Sequence, residues 1–429
     1  MKRQLLVSIL VLVLSLPSFA VTIDVWLQHT NEEMKILREI TDKFTEKTGI
    51  EVNYTYVNPA DSETVFLMAA ASGTAYDVGG VGSLFAPELG LRGAVINLAQ
   101  FPDYEEFAAN FPPMYFNSLQ YQGLVFGIPY RSYLYLTYQR TDILQDLGIA
   151  PVTTWTELKS ILPRLQAQGM NFALTFGISE SVYADVNMFM WQYGGDDYNE
   201  DLTKSGYDSP ESIAGFKEFA EIYTQYKIPQ QVVAYQSFTQ GELPILMQSG
   251  HFATNLEVSA PQLAGKWQMT PAIGTMRDGE LHIESFIGGV ALVISKDSKN
   301  PQAAWEYIKW LCSVETQTEI TTRFAQQIRG NLFIPANSEA IGNMPVGEEN
   351  ALTLRKQAEG SRASMYGLVA PRLRRRYLQF AAEEVVLLGR DPEEAIRKAA
   401  ADHNEEIRKK TIEYDRFIKR MLEEAGKAK

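Results

Sequence analysis

A single cysteine, Cys312, in 429 residues excludes an internal disulfide, a CxxC redox pair and a cysteine-based zinc site. It lies in the apolar periodic run Trp305, Tyr307, Ile308, Trp310, Leu311, where a small buried hydrophobe is expected. No GxSxG elbow, HExxH pair or GxxxxGK[ST] loop occurs, and the four histidines, at 29, 251, 282 and 403, are scattered. Neither catalytic residues, a metal nor a cofactor is therefore expected. Positive charge is also scarce. The 39 basic residues face 52 acidic ones, a formal charge of −13 that repels phosphate polymers and anionic lipid and excludes nucleic acid as the expected partner. Only one long apolar run exists, Leu5 to Leu16, about half the ~20 residues that a bilayer-spanning helix needs.

That run is itself informative. Met1, Lys2 and Arg3 precede it and Pro17, Ser18, Phe19 and Ala20 follow, the pattern of a cleaved secretory signal over residues 1–20. Its removal leaves 37 bases against 52 acids, a charge of −15. No cysteine stands at the cleavage point, so the mature chain is expected without a lipid anchor in a periplasm or equivalent extracytoplasmic space. The length suggests two domains, each able to bury its own core.

Alternation in Thr22 to Leu27 and Glu51 to Val57 predicts strands. Between them, Met34, Ile36, Leu37, Ile40 and Phe44 fall at helical spacing, with Gly49 as a stop. Strand, helix, strand implies a mostly parallel sheet with helices on its faces. The pattern continues with a helix over 63–72 stopped by Gly73, a strand over 76–81 and a helix over 87–92. A second block begins after Tyr130, with a strand over 134–138 and a helix opened by Thr154, whose spacing to Glu157 is that of a capping box. Residues 188–226 and 240–249 read as helical around a polar Gly and Asp loop. Then Phe286 to Ser295 returns as a β-branched strand, Asn300 to Phe324 as one long amphipathic helix, and 378–424 as helix.

Gly80-Val81-Gly82 lacks the third glycine of a dinucleotide loop and reads as a close-packed turn. Asp197, Asn199 and Asp201 mimic half an EF-hand, but Leu202 stands where the turn needs glycine, so a solvated turn is expected. Arg372, Arg374, Arg375 and Arg376 either bind an anion or pair with acids such as Glu383 and Glu384, and pairing is the favoured reading. The positive signal is aromatic. Tyr130, Tyr133, Trp191, Tyr193, Phe252, Trp267 and Phe286 lie beside glycine, proline or polar residues near predicted element ends, where side chains often face a cleft. Sugar rings suit that mixture: C–H faces stack on aromatic planes and hydroxyls pair with planar polar groups.

An ordered set of segments resembles the maltose-binding-protein-like family of extracellular solute-binding proteins that serve carbohydrate ABC importers. The segments are Ile23–Trp26, FTEKTG at 44–49, AAASGTAYD at 69–77, YQGLVFGIPY at 121–130, LTYQRTDIL at 136–144 and LGIAPVTTWTEL at 147–158. They continue with Tyr193–Gly195, LMQSGHF at 246–252, Gly288 and Gly289, NPQAAWEYIKWL at 300–311 and LGRDPEEAI at 388–396. The resemblance implies the two-lobe α/β periplasmic binding protein fold, with mixed sheets flanked by helices and a hinge beside an interlobe ligand cleft. Lobe one would hold 21–130 plus 286–330, and lobe two 131–285 plus 331–429. The implied ligand-binding residues are His29, Thr30, Asn31, Glu32, Asp77, Gly80, Ser83, Tyr130, Arg131, Trp191, Tyr193, Phe252, Asn255, Gly288 and Arg329. His251 and Phe252 stand where the family often has tryptophan, which shifts the expected stacking platform to Trp191 or Trp267.

On this resemblance the chain is a monomer that captures a sugar or sugar-like polyol by hinge closure and hands it to membrane permease subunits, and it is not an enzyme. The alternatives are a secreted carbohydrate-active enzyme and a sugar sensor or binding module without transport.

Overall fold

The computed structural model describes residues 21–424 and 426, apart from 60 and 75; the expected secretory signal over 1–20 lies outside the described residues. Nine strands form its two principal sheets. The first sheet takes β1 (Val21–Leu27), β2 (Ile50–Tyr56), β3 (Val78–Gly82), β4 (Ile128–Tyr133) and β9 (Gly288–Ile294) in the order β2-β1-β3-β9-β4. The second takes β5 (Tyr135–Gln139), β6 (Phe172–Ala173), β7 (Ile245–Ser249) and β8 (Gln268–Thr270) in the order β8-β5-β7-β6. β1 runs parallel to β2 and β3, whereas β9 runs antiparallel to both neighbours. The family's expected mixed sheets are therefore present, with helices on their faces.

The first helix, α1 (Asn31–Thr48), starts where Thr30 and Glu33 close a capping box and stops at Gly49, whose φ of 72° is left-handed. Its face of Met34, Ile36, Leu37, Ile40 and Phe44 is buried. Thr154 and Glu157 close the box that the sequence predicts.

Four expectations need correction; one is the helix over 378–424, which is broken at 387–391 into Pro371–Val386 and Pro392–Glu424, with Gly389 at φ 65° in the break. Residues 240–249 are not helical: Gly241, at φ 82°, ends a helix over Ala234–Gln240, and Ile245, Leu246 and Met247 form the buried centre of β7. A short continuous apolar run has no periodicity to tell strand from helix. The helix over 188–226 is two, α2 (Val182–Gln192) and α3 (Pro210–Thr224), separated by a 17-residue loop. The single helix over 300–324 is also two, because Ser313 leaves helical geometry and caps α4 (Val314–Gln327) through Thr316 N–H. Cys312, at that break, is wholly buried, as expected of a small hydrophobe.

The chain passes between the sheets at 133–135 and 283–288. It passes a third time between Pro335, which bridges to Arg131, and α5 (Glu348–Gly360), which packs on β8. Gln357 knots these passages. Its buried amide accepts from Ala272 N–H at 2.6 Å and donates to Ser285 Oγ at 2.9 Å and Ile283 O at 3.2 Å, and Ser285 Oγ donates to Tyr135 O. Two helices close the chain. α6 (Pro371–Val386) packs on α2 and α3, and α7 (Pro392–Glu424) begins against the same core. α7 then continues to the short helix Ala86–Leu91 beside the first sheet, so that one helix touches both halves.

Gly289 sits where β9 meets β4, and a Cβ there would lie 2.1 Å from the Arg131 carbonyl oxygen. Only backbone movement relieves such a contact. Gly289→Ala should destabilise the chain by about 1–3 kcal/mol in urea unfolding, with an unchanged helix spectrum.

Candidate ligand site between the two sheets

Gly80 lies inside β3, where a Cβ would press on Leu27 and Val290, so its smallness serves strand packing. Beyond it, Ser83 and Leu84 emerge from the C-terminal end of β3. Ser83, Arg131, Ser132 and Gly288 line a cavity of about 20 Å³ against the passages between the sheets. Leu84 reaches across and packs with Trp191, Ala184 and Phe286 in an apolar cluster separate from both principal cores. Trp191 is fully buried, stacked parallel to Phe286 at 6.4 Å, with the Arg362 guanidinium 5.8 Å over its ring.

The expected loop after β1 divides. Asn31 and Glu32 are exposed on the first turn of α1, Thr30 is its cap, and His29 points inward and is 2% exposed. His29 Nδ1 lies 3.2 Å from Glu33, and its Nε2 lies 2.8 Å from the Tyr130 hydroxyl. A carboxylate only accepts, so Nδ1 carries the proton and Nε2 accepts from Tyr130. Burial, aided by Arg131, holds His29 below its usual range and therefore neutral. Glu33 is also buried. Burial raises it, but the His29 bond, Arg131 at 3.6 Å and the Asn331 amide at 2.8 Å prevail and bring it down to about 2. With His29 neutral, Arg131 and the hydrogen bonds carry that depression. Arg131 further lies over the Tyr133 and Phe333 rings and within 3.5 Å of His251 Nε2. Burial, then Arg131, pushes His251 down to about 4.

A second polar cluster lies beyond Leu84. Asp197 pairs with Arg374 at 3.2 Å, Asp196 pairs with Arg362, and Arg375 stacks on the Tyr183 ring at 4.6 Å. Burial and the Asp197 charge, against Arg362, raise Asp196 to about 6. The expected partners Glu383 and Glu384 are engaged elsewhere, with Gln379 and Lys398. The half EF-hand is dispersed likewise: Asp197 is buried, while Asp201 turns back on Thr203.

Several expected residues lie apart from these clusters. Asp77 precedes β3 at its opposite end, where its carboxylate accepts from Asp24 N–H and Ser298 Oγ and so ties two strands. Tyr193 donates to Glu218 at 2.9 Å, and Phe252 is buried between Tyr138 and Phe238. Asn255 and Arg329 are exposed. Trp267 lines a larger, solvent-open hollow of about 390 Å³ with Leu256, Pro261 and Glu349, at the far end of the helix over His251–Ser259. The structure thus brings together His29, Ser83, Tyr130, Arg131, Trp191 and Gly288. It adds Glu33, Asn187, Arg362 and Ser364, which no sequence signal marked. Among the described residues no group of three His, Cys, Asp or Glu side chains could hold a metal ion, and no helix is long and apolar enough to cross a membrane.

With two sheets, three passages and polar groups of both halves around them, the geometry is that of a two-lobe binding protein. The model of the bacterial extracellular solute-binding protein family matches residues 39–342, and the chain belongs to that family. The maltotriose-binding protein of Pyrococcus abyssi is 24% identical over 243 residues, 56% of this chain and 50% of the relative. The chain thus spans about half the length of that curated relative. Among solved structures, the sugar-binding protein MalE of Xanthomonas citri is similar at a TM-score of 0.78 and 18% identity, over 92% of this chain and 99% of that one. The cyclic α-maltosyl-1,6-maltose-binding protein of Arthrobacter globiformis is similar at 0.77 and 16%, over 90% and 99%. These likenesses establish the expected two-lobe fold.

Two titrations should be visible. A carboxyl held at about 2 adds stability above the usual carboxylate range and loses it as pH falls towards 2. Glu33→Gln should remove that acid-limb loss and, by leaving Arg131 unpaired, cost about 2 kcal/mol or more at pH 7 in urea unfolding. Asp185, buried with one backbone donor from Phe176, is pushed up to about 8 by burial. Its sign is opposite: stability is greatest below the usual carboxylate range and falls as pH climbs through 8. Asp185→Asn should flatten that fall in melting temperatures taken from pH 5 to 9.

Proposed function

We propose that this chain captures a sugar or sugar-like polyol between its lobes and delivers it unaltered to the permease subunits of an ABC importer. The carrying observation is the cavity that Leu84, from the first sheet, closes against Tyr183, Asn187 and Arg375 of the other half. A guest held there touches both lobes only when they are together, which is the requirement for ligand-gated closure. Both interlobe cavities are too small for a sugar ring, at about 20 and 10 Å³, so the lobes must part to admit one.

We assign lobe one to residues 21–130 and 286–330 and lobe two to 131–285 and 331–429. Residues 331–344 stay beside lobe one through Thr321, Gln317 and Thr318 on α4. Within the cleft, Ser83, Arg131 and Gly288 would contact the guest, and Trp191 would present its ring once Leu84 withdraws. His29, Tyr130 and Glu33 hold Arg131 in place from behind. The expected contacts at Thr30, Asn31, Glu32, Asp77, Gly80, Tyr193, Phe252, Asn255 and Arg329 have weaker support, because their side chains are committed elsewhere or lie outside these cavities. Export by the signal over 1–20, release without a lipid anchor and a monomeric state accompany this reading. The sugars named for the relatives support the guest's class.

Calorimetry against a panel of mono- and oligosaccharides, with chromatography of the recovered sugar, tests the proposal. Saturable heat with unchanged sugar is expected, together with a smaller radius of gyration in solution scattering. A sugar at 100 times its dissociation constant adds about 2.7 kcal/mol of stability. Turnover of the sugar, or indifference to every saccharide, overturns it.

A further inference from the structure

The lobe-two side of the cleft carries more cation than its own anions satisfy. Leu84, Tyr183, Asn187, Asp197, Arg374 and Arg375 are among the residues that line a cavity of about 10 Å³, hardly the room of one water molecule while the two halves are together. Arg374 is 4% exposed; its Nη1 faces Asp197 Oδ2 at 3.2 Å in the ion pair, and its Nε has no hydrogen-bond partner. Asn187, 1% exposed, donates to Ser364 Oγ at 3.0 Å, and its Oδ1 has no partner. Arg375 Nε is also buried without one, and no carboxylate lies within ion-pair distance of its guanidinium among the described residues. The arginines at 362, 374 and 375 face the aspartates at 196 and 197, an excess of one positive charge.

Unpartnered buried donors are costly, and evolution rarely leaves several at one place without a use. Their position on α6 sharpens the point. Pro371 opens that helix, its first turn holds no acid, and Arg372, Arg374 and Arg375 crowd an end where the backbone already presents partial positive charge. An anion between the guanidinium groups would also meet that field.

We propose that the sugar this protein captures is acidic, and that its carboxylate docks between Arg374 and Arg375 where this cavity widens as the lobes part. The proposal rests on the capture function above and names the class of its guest. A uronate fits for three reasons. Its single charge matches the excess of one, whereas a phosphate monoester carries about −1.5 to −2 at neutral pH. Its planar carboxylate matches the guanidinium fork in a bidentate pair. The Tyr183 hydroxyl and the Asn187 amide are near enough to take ring hydroxyls as the lobes close over Leu84.

The test uses the mature chain and calorimetry. Glucuronate- and galacturonate-terminated disaccharides are each titrated beside their carboxyl-reduced counterpart and the matching 6-sulfated neutral sugar. The acidic member of at least one pair should bind about tenfold tighter or more than its reduced form, and the preference should shrink as salt rises. In Arg375→Gln the ratio of acidic to reduced affinity should fall towards one, and Asn187→Asp, which adds a competing carboxylate, should lower it independently. Equal or tighter binding of the reduced sugar in every pair overturns the carboxylate assignment while capture stands. A preference for the sulfated sugar over the uronate overturns it as well. Binding of no saccharide overturns both the assignment and the capture function.

Discussion

The return of β9 is the constraint on which the rest of the molecule depends. More than 150 residues after β4, the chain comes back as Gly288–Ile294 and inserts antiparallel between β3 and β4, completing a sheet that the first 133 residues leave open. Buried Val293 and Ile294 fix its far end against β3, and Gly289, against the Arg131 carbonyl, fixes the near end. Because β4 and β9 both run directly into passages towards the second sheet, their register sets where Arg131, Ser132 and Gly288 stand. It also sets where Phe286 meets Trp191. The sheet and the site are one piece of geometry.

The two polar clusters beside this seam are built differently. Around Glu33, the carboxylate is answered: a neutral histidine donates, an asparagine amide donates, and Arg131 lies close to it, although Arg131 Nε is buried without a partner of its own. That cluster is a brace, and its cost of burial is offset locally. Around Arg374, the ion pair with Asp197 leaves guanidinium N–H groups unanswered, and Arg375 has only a ring face and a phenol. Low dielectric strengthens each bond that is made and raises the cost of each that is not. α7 also links the two halves, reaching Ala86–Leu91 beside the first sheet while its first turns belong to the other core.

Much of the fold was legible because local signals agree with the global result. Thr154 with Glu157 announces a helix start, Gly49 and Gly73 announce stops, and the alternation in 22–27 and 51–57 needs no tertiary context. Legibility failed where periodicity carries no information, as in Ile245–Met247, or where a single capping serine interrupts an unbroken amphipathic pattern, as at Ser313. Site residues were harder. Aromatic side chains near element ends are read equally well as core: Phe252 and Trp191 are both buried, one in a principal core and the other in the cluster with Leu84 and Phe286. The roles of Glu33 and Asn187 depend on what lies opposite them, hundreds of residues away in sequence, and one sequence holds no record of that. The arginine run was visible, but its neighbours along the helix suggested the wrong partners.

A surface charge of −13 might be thought to oppose an anionic guest, yet the two effects act at different ranges. The acids are spread over the surface, and at physiological salt their field decays over about 8 Å. Arg374 is buried and Arg375 half-buried behind Leu84, where screening is weak and water competes little. A distributed negative field therefore slows the approach of an anion modestly, while the desolvated guanidinium groups govern how long it stays.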